Sequence, residues 1–268
     1  MSFMVPTNHT NPPDNKIIFE QYFGERFSEV NPDLKRKYID VYWTNYYVEK
    51  NYCNDDMSDL QNYLNSLDRS DKYFAVCQWD DGIRNDVEGL DILVYASGGV
   101  GDYAYPLNCM PHNTPPRRER DILASFVGSI AGRHKVREVM YEKLNGKIGI
   151  YVSESLGRES FLDILTRSAF ALCPRGYGKT SFRICESLEV GVIPVYIYDD
   201  PWIPFGHKLD FEEYGVLCHI DEIDSLHSKL LSYNERDIRT LIQRGSEVYQ
   251  EYYSYDGCYS RIIEDLRR

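Results

Sequence analysis

Between Phe170 and Phe205 the chain reads FALCPRGYGKTSFRICESLEVGVIPVYIYDDPWIPF, and no other stretch restricts its possible architecture as much. Phe170 to Cys173 is a continuous apolar run, which predicts a strand buried on both faces. A turn rich in glycine and cations follows, Pro174-Arg175-Gly176-Tyr177-Gly178-Lys179, and Thr180 or Ser181 is placed to cap a helix running to about Gly191. Val192 to Tyr198 is a second run of the buried-strand kind. Two buried strands joined through a helix make a parallel pair in an α/β sheet. Free backbone N–H groups and the helix dipole both point into the turn, which suits an anion. Glu186, one to two turns into the helix, is within reach of a ribose hydroxyl, so the parts together describe a pocket for a nucleoside diphosphate.

Two readings of this turn separate cleanly. The fragment Gly-Tyr-Gly-Lys-Thr suggests a triphosphatase phosphate loop, but that motif needs a glycine five residues before Gly178, where Cys173 stands. The turn is also too short to wrap a triphosphate. The other reading is a family resemblance. Pro174-Arg175-Gly176, Ser181-Phe182-Arg183, Glu186, Leu188, Gly191 and Ile193-Pro194-Val195, with Asp199 and Ile203-Pro204-Phe205 downstream, resemble the signature of the exostosin family of glycosyltransferases over 36 residues. Weaker similarity extends through both halves. Tyr73-Phe74-Ala75-Val76, followed by Asp80 and Gly82, is similar to a family strand ending in His-Asp-Trp-Gly, with Trp79 in place of the histidine and Asp81 in place of the tryptophan. Phe126-Val127-Gly128 is similar to the start of the family's second domain. Leu209 to Ile220 resembles the segment before its last helices, without the usual tryptophan.

The resemblance implies an α/β protein of the glycosyltransferase-B type, with two Rossmann-like domains facing across a cleft. We place the first at 1–118, the second at 119–252, and expect 253–268 to pack back on the first. It also implies inverting transfer of a sugar from a nucleoside diphosphate donor to a glycan or glycoprotein acceptor. The donor half then carries the candidate substrate-binding residues: Gly128, Ser129, Arg133, Arg175, Gly176, Lys179, Thr180, Ser181, Arg183, Glu186, Tyr198 and Asp199. The catalytic base should come from the other half. Asp80 is the first candidate, or else a turn carboxylate capping the next segment, with Asp81 and His112 as alternatives. Glu186 has a second possible role as an i,i+3 partner of Arg183, and Arg175 as a bonding partner for the carbonyls of its own turn.

Family members use UDP-linked xylose, galactose, glucuronic acid, arabinose or N-acetylglucosamine. A compact chain of this kind is similar to enzymes that large algal viruses carry for capsid glycans, which points to UDP-xylose. A comparable Glu-plus-Gly-x-x-Pro-Val pattern occurs in fucosyltransferases that take GDP-fucose, and a non-catalytic module that binds nucleotide sugars is a further alternative. The net charge of -12 argues against nucleic acid or an anionic membrane as partner, while Arg175, Lys179 and Arg183 concentrate cations at one spot. Seven scattered cysteines with no Cys-x-x-Cys pair fit a reducing compartment. The N-terminal residues show no signal-peptide core and no segment has membrane-span length, so the cytoplasm of a cell or host is expected. Asp-x-Asp is absent and the histidines form no close pair, so no metal and no cofactor beyond the donor is expected.

Elsewhere the pattern predicts a loose tail over the first fifteen or so residues, strands at Lys16–Phe23 and Ile39–Val48, a helix at Met57–Leu67, and strands at Tyr73–Cys77 and Leu90–Tyr95. A proline-rich linker over Pro106–Arg120 precedes a strand at Ile122–Val127, a helix at Arg133–Leu144, a strand at Ile148–Val152 and a helix at Ser160–Arg167. The last long helix is expected at Glu235–Tyr253.

Overall fold

The computed structural model describes Phe3 and residues 17–112, 119–154 and 156–268. Two parallel sheets organise the chain. The first half contains α1 (Phe19–Val30), β1 (Lys37–Tyr38), α2 (Trp43–Glu49), α3 (Ser58–Asn65), β2 (Lys72–Cys77), β3 (Asp91–Ala96) and β4 (Tyr103–Ala104). Its strands lie in the order β1-β2-β3-β4, all parallel, with Phe74 opposite Leu93. The second half contains β5 (Ile122–Val127), α4 (Val136–Leu144), β6 (Ile150–Ser153), α5 (Arg158–Arg167), β7 (Ser168–Pro174), α6 (Phe182–Glu189), β8 (Ile193–Tyr198), β9 (Val216–His219), α7 (Ile223–Leu231) and α8 (Glu235–Val248). Its order is β6-β5-β7-β8-β9, again all parallel. Helices α8 and α9 (Tyr255–Arg267) are joined by a wide π-type turn, Tyr249–Tyr253. This is the α/β architecture with two parallel sheets that the resemblance implies.

Alternation along the central strands explains the layering. Phe170 and Leu172 of β7, with Ile193, Val195 and Ile197 of β8, pack on one side against α4, α7 and α8, through Met140, Leu226 and Leu241. Ala171 and Cys173, with Tyr196, face the other side and meet Leu165 of α5 and Ile184 and Leu188 of α6. A strand covered on both faces needs apolar residues at every position, which is why β7 reads as a continuous run. In the first sheet, Ala75 and Cys77 face Trp43, Tyr47, Leu60 and Leu64, while Phe74 and Val76 face α1 and α9 through Phe19, Phe23, Cys258 and Ile262.

The structure corrects several expectations. Lys16–Phe23 is no strand: α1 starts at Phe19, because Phe19, Phe23 and Phe27 repeat every fourth residue on one helical face (Lys16 itself lies outside the described residues). Ile39–Val48 is not one strand either. Only an isolated bridge at Val41 is extended within it, and from Trp43 the aromatic residues Trp43, Tyr46 and Tyr47 fall at helical spacing. The expected loose tail is mostly outside the described residues, but Phe3 is buried and paired with Val41. The start of the expected linker, Pro106 to Cys109, is packed into the core, while 113–118 lies outside the described residues. The expected final helix is α-helical to Val248 and continues in π form to its expected end at Tyr253, and Ser254 caps a further helix by accepting from the Gly257 N–H at 3.0 Å.

The halves are joined tightly after β8. Phe205, a non-glycine residue at φ 52, donates its N–H to Ala104 O at 2.8 Å and is wholly buried in the first half's aromatic cluster. Trp202 Nε1 donates to Ala96 O at 3.0 Å. Truncating a fully buried phenylalanine costs about 3–5 kcal/mol. Phe205→Ala should therefore lose about that much in urea unfolding followed by circular dichroism. A loss below about 1 kcal/mol would contradict the anchoring role given to this side chain.

Candidate functional site

Order in the second sheet marks where a ligand fits. The chain leaves β5 for β6 on one flank and then crosses to β7 on the other, so the connections diverge at the carboxyl ends of β5 and β7. Open α/β sheets bind ligands at such a switch point. Gly128 and Ser129 follow β5 there, and Arg175 and Gly176 follow β7. Arg183 and Arg137 are the second residues of the two helices that leave these strands, α6 and α4.

These two arginines dominate the electrostatics. The guanidinium carbons of Arg183 and Arg137 lie 4.6 and 5.9 Å from the centre of the same ring, Phe126 at the end of β5. Arg183 is also 5.4 Å from the Phe161 ring, and its Nε and Nη1 are shielded from water with no hydrogen-bond partner among the described residues. Arg137 is held by two carbonyls, those of Arg175 at 3.2 Å and Ser129 at 3.1 Å. Burial, and then the charge of Arg183, push the Arg137 guanidinium below its usual range. No carboxylate forms an ion pair with either among the described residues, so the i,i+3 pair of Arg183 with Glu186 does not form. Gly128, at φ 156, makes room: a Cβ there would sit 3.2 Å from Arg183 Nη2. Close by in sequence, the buried hydroxyl of Thr180 also has no partner among the described residues, and Ser181 caps α6 by accepting from the Arg183 N–H at 3.3 Å.

Other cations are already engaged. Arg175 donates to Gly178 O at 3.1 Å and to Asp199 Oδ1 at 2.5 Å, with His134 Nε2 at 3.2 Å. Of the two roles left open for Arg175, these contacts display bonding of its own turn. Partial burial raises the Asp199 carboxyl, but the hydrogen bond and charge of Arg175 outweigh this and hold it below the usual carboxylate range. Tyr198 packs against Tyr196 and the His219 ring. Lys179 pairs with Asp200 at 2.7 Å. Arg133 lies over the Tyr177 ring at 4.6 Å, hydrogen-bonds its hydroxyl and stands 3.8 Å from Asp81.

The turn 175–181 also meets the first half. Lys179 N–H donates to Gly98 O at 2.8 Å, and the Gly178 N–H bonds the Asp80 carboxylate. A Cβ at Gly178 would fall 2.3 Å from Asp80 Oδ1, so only glycine permits this approach. Burial, and then the neighbouring Asp81 charge, push the Asp80 carboxyl up to about 6. Asp80 and Asp81 are thus brought against the loop of the second half. His112 is placed elsewhere, with Nδ1 3.0 Å from Arg158 Nη2 and Nε2 3.7 Å from Glu186 Oε1. Cavity size does not mark this site: a hollow of about 730 Å³ lies beside Arg120, Ile238 and Gln243 and is lined by none of the candidate site residues.

Sequence reasoning missed Arg137 and His134. The signal for Arg137 was available, since it stands in α4 as Arg183 stands in α6, but the turn after β5 lacks the motif that drew attention to the turn after β7.

The family profile of the Exostosin GT47 domain matches residues 102–232, just under half of the chain. A probable glycosyltransferase of Arabidopsis thaliana is 31% identical over 140 residues, covering 52% of this chain and 27% of that protein. A probable glucuronosyltransferase of Oryza sativa subsp. japonica is 30% identical over 144 residues, covering 50% of this chain and 34% of that protein. A probable beta-1,4-xylosyltransferase of Arabidopsis thaliana is 28% identical over 144 residues, with 50% and 34% covered. The chain spans about a third or less of the length of these relatives. Among solved structures, the crystal structure of TarM superposes with a TM-score of 0.47 at 10% identity, over 79% of this chain and 53% of that one.

Replacing Arg175 tests its place in the turn. Arg175→Ala should cost roughly 1.5–3 kcal/mol, the range for hydrogen bonds to charged groups, in chemical unfolding. It should also let the Asp199 carboxyl titrate higher, as read by NMR. An unchanged Asp199 titration would refute the pairing.

Proposed function

We propose that this chain, whose residues 102–232 belong to the exostosin GT47 family, transfers a sugar with inversion from a UDP-sugar, UDP-xylose first among them, to a hydroxyl of a glycan or glycoprotein acceptor. The observation that carries this reading is the pair Arg137 and Arg183, two guanidiniums over one ring without a carboxylate between them. A guanidinium whose Nε and Nη1 are shielded from water without a partner, as those of Arg183 are, is costly, and an anion completes it. A nucleoside diphosphate supplies that charge in the right place, beside the α6 N-terminus and the Thr180 hydroxyl. Xylose as the sugar rests on the resemblance and on one relative named for that activity.

On this reading the diphosphate leaves C1 of the sugar as the acceptor oxygen attacks from the opposite face. Arg137, Arg183 and the positive end of the α6 dipole stabilise the departing charge. Asp80, presented from the first half, takes the acceptor proton. Glu186 binds the ribose after exchanging its His112 neighbour for the donor. Positive charge from two arginines does here what a divalent ion does in other transferases, so turnover should survive EDTA. No helix among the described residues is long and apolar enough to cross a membrane.

A panel of UDP- and GDP-sugars, scored for transfer or donor hydrolysis, tests the activity. Stabilisation by GDP and none by UDP in a thermal shift would move the donor to GDP-fucose. Tight binding without turnover would leave a binding module, and ATP hydrolysis alone would refute the proposal. Arg183→Ala should weaken UDP binding by roughly 1.5–3 kcal/mol.

Asp80→Asn should leave UDP affinity near its original value and cut kcat by on the order of 10²–10⁴. Because the base must be ionised and its carboxyl is raised to about 6, kcat/KM should fall as pH drops through about 6 and level off above it. A profile flat from pH 5 to about pH 8 would remove Asp80 from this role.

A further inference from the structure

Three consecutive residues, none of them glycine, sit in the left-handed region: Asn51, Tyr52 and Cys53, at φ 50, 56 and 67. L-residues disfavour this conformation, and a run of three persists only where the surroundings enforce it. Here Asn54 N–H donates to Asn51 O at 3.2 Å and Asp55 N–H to Lys50 O at 3.1 Å, while Cys53 N–H reaches back to Tyr47 O at 3.3 Å. Asn54 Nδ2 adds a further bond to Asn51 O at 2.7 Å.

The strained turn does not bury its largest side chain. Tyr52 is 58% exposed, more than any other tyrosine among the exposed large residues described. Its ring centre lies 6.1 Å from that of Trp79, with the planes inclined at 37°, and Trp79 in turn stands edge-on to the buried Tyr47 at 5.6 Å. Trp79 directly precedes Asp80. The neighbouring Cys53 thiol feels the charges of both Arg84 and Asp81, so the turn lies near Asp81. Asp81 meets the Tyr177 hydroxyl from the second half at 3.5 Å, and the Tyr177 ring is half exposed on that side.

We propose that Tyr52 and Trp79 form an aromatic platform that takes a sugar ring of the acceptor, beside Asp80 and opposite the arginine pair. The inference rests on the transferase reading and adds the residues that choose its second substrate. A pyranose has an apolar C–H face and polar edges. Aromatic faces hold the former without requiring hydrogen bonds, and Asp81 and Arg84 are placed to take hydroxyls at the latter. Single exposed tyrosines are ordinary. One that is fixed by a strained backbone, joined to a tryptophan and set at the rim of a catalytic seam has a ligand's geometry instead. The donor does not compete for this surface, since its cations lie in the other half.

Direct binding tests this without knowledge of the natural acceptor. Xylotriose, cellotriose and N-acetylchitotriose are titrated against the whole chain in the presence of UDP and followed by saturation-transfer NMR. At least one should bind with its ring protons saturated. Tyr52→Ala should lower that affinity by about 5-fold or more, and Tyr52→Phe should stay within about twofold, because the ring face is kept. Tyr52→Gly, which relieves the left-handed strain, should raise the thermal midpoint while losing the sugar. Stabilisation by UDP, measured on each variant, reads the donor site separately and should be the same in all. Absence of binding by all three sugars, or unchanged affinity in Tyr52→Ala, overturns the platform. Loss of UDP stabilisation in the unaltered chain would instead overturn the donor reading.

Discussion

Two positive charges held over one phenyl ring are the constraint around which the second half is arranged. Arg137 and Arg183 come from different helices and converge because β5 and β7 are neighbours whose crossovers run to opposite flanks. Like charges at such a distance repel, more strongly the less water lies between them. The fold accepts this through the Phe126 face, whose negative quadrupole offsets part of the cost, and through the carbonyls of Arg175 and Ser129. Neither device neutralises charge. A protein seeking only stability would place a glutamate between them, and Glu186, one turn along α6, is turned to His112 instead.

Position in the first half depends on a second buried group. Glu20, fully buried in α1, accepts from the Thr44 N–H at 2.8 Å and the Thr44 hydroxyl at 2.9 Å, and also from the Gln78 N–H. Burial pushes its carboxyl up to about 7 against the pull of these donors. Gln78 is two residues before Asp80, and its own side chain accepts from the Phe19 N–H at 3.3 Å. The turn that carries Asp80 is therefore pinned from behind by α1 before Gly178 meets it from the front. Precision at the seam depends on a helix that nothing in the site's own sequence motif would bring to notice.

Much of the second half was legible because its signals are local. A buried strand shows as an apolar run, a cap as a serine before the helix, and the turn as its glycines, so β7, α6 and β8 lie where the sequence placed them. In the first half the helix at Ser58–Asn65 was legible from its spacing but α1 and α2 were not, since aromatic residues at i, i+3 and i+4 also satisfy a strand's taste for large flat side chains, as Trp43, Tyr46 and Tyr47 show. The site divides in the same way. Arg183 was found through its motif, whereas Arg137 depends on which strands are neighbours, and that is a property of topology. Likewise the contact of Gly178 with Asp80 joins residues far apart in the chain, and no local pattern encodes it.

The same long-range contacts decide how the halves behave as a unit. Phe205, encoded within the second half's motif, fills the aromatic cluster of the other half, and α9 crosses back to cover Phe74 and Val76. Two backbone links cross between the halves. The backbone links Lys179 N to Gly98 O and Phe205 N to Ala104 O act in opposite senses here. The first lies at the tip of the turn 175–181, where one hydrogen bond opens at modest cost. The second belongs to a fully buried side chain, which stays in place. Of the two links the one at Phe205 is therefore the firmer, and the contact of Gly178 with Asp80 lies beside the weaker.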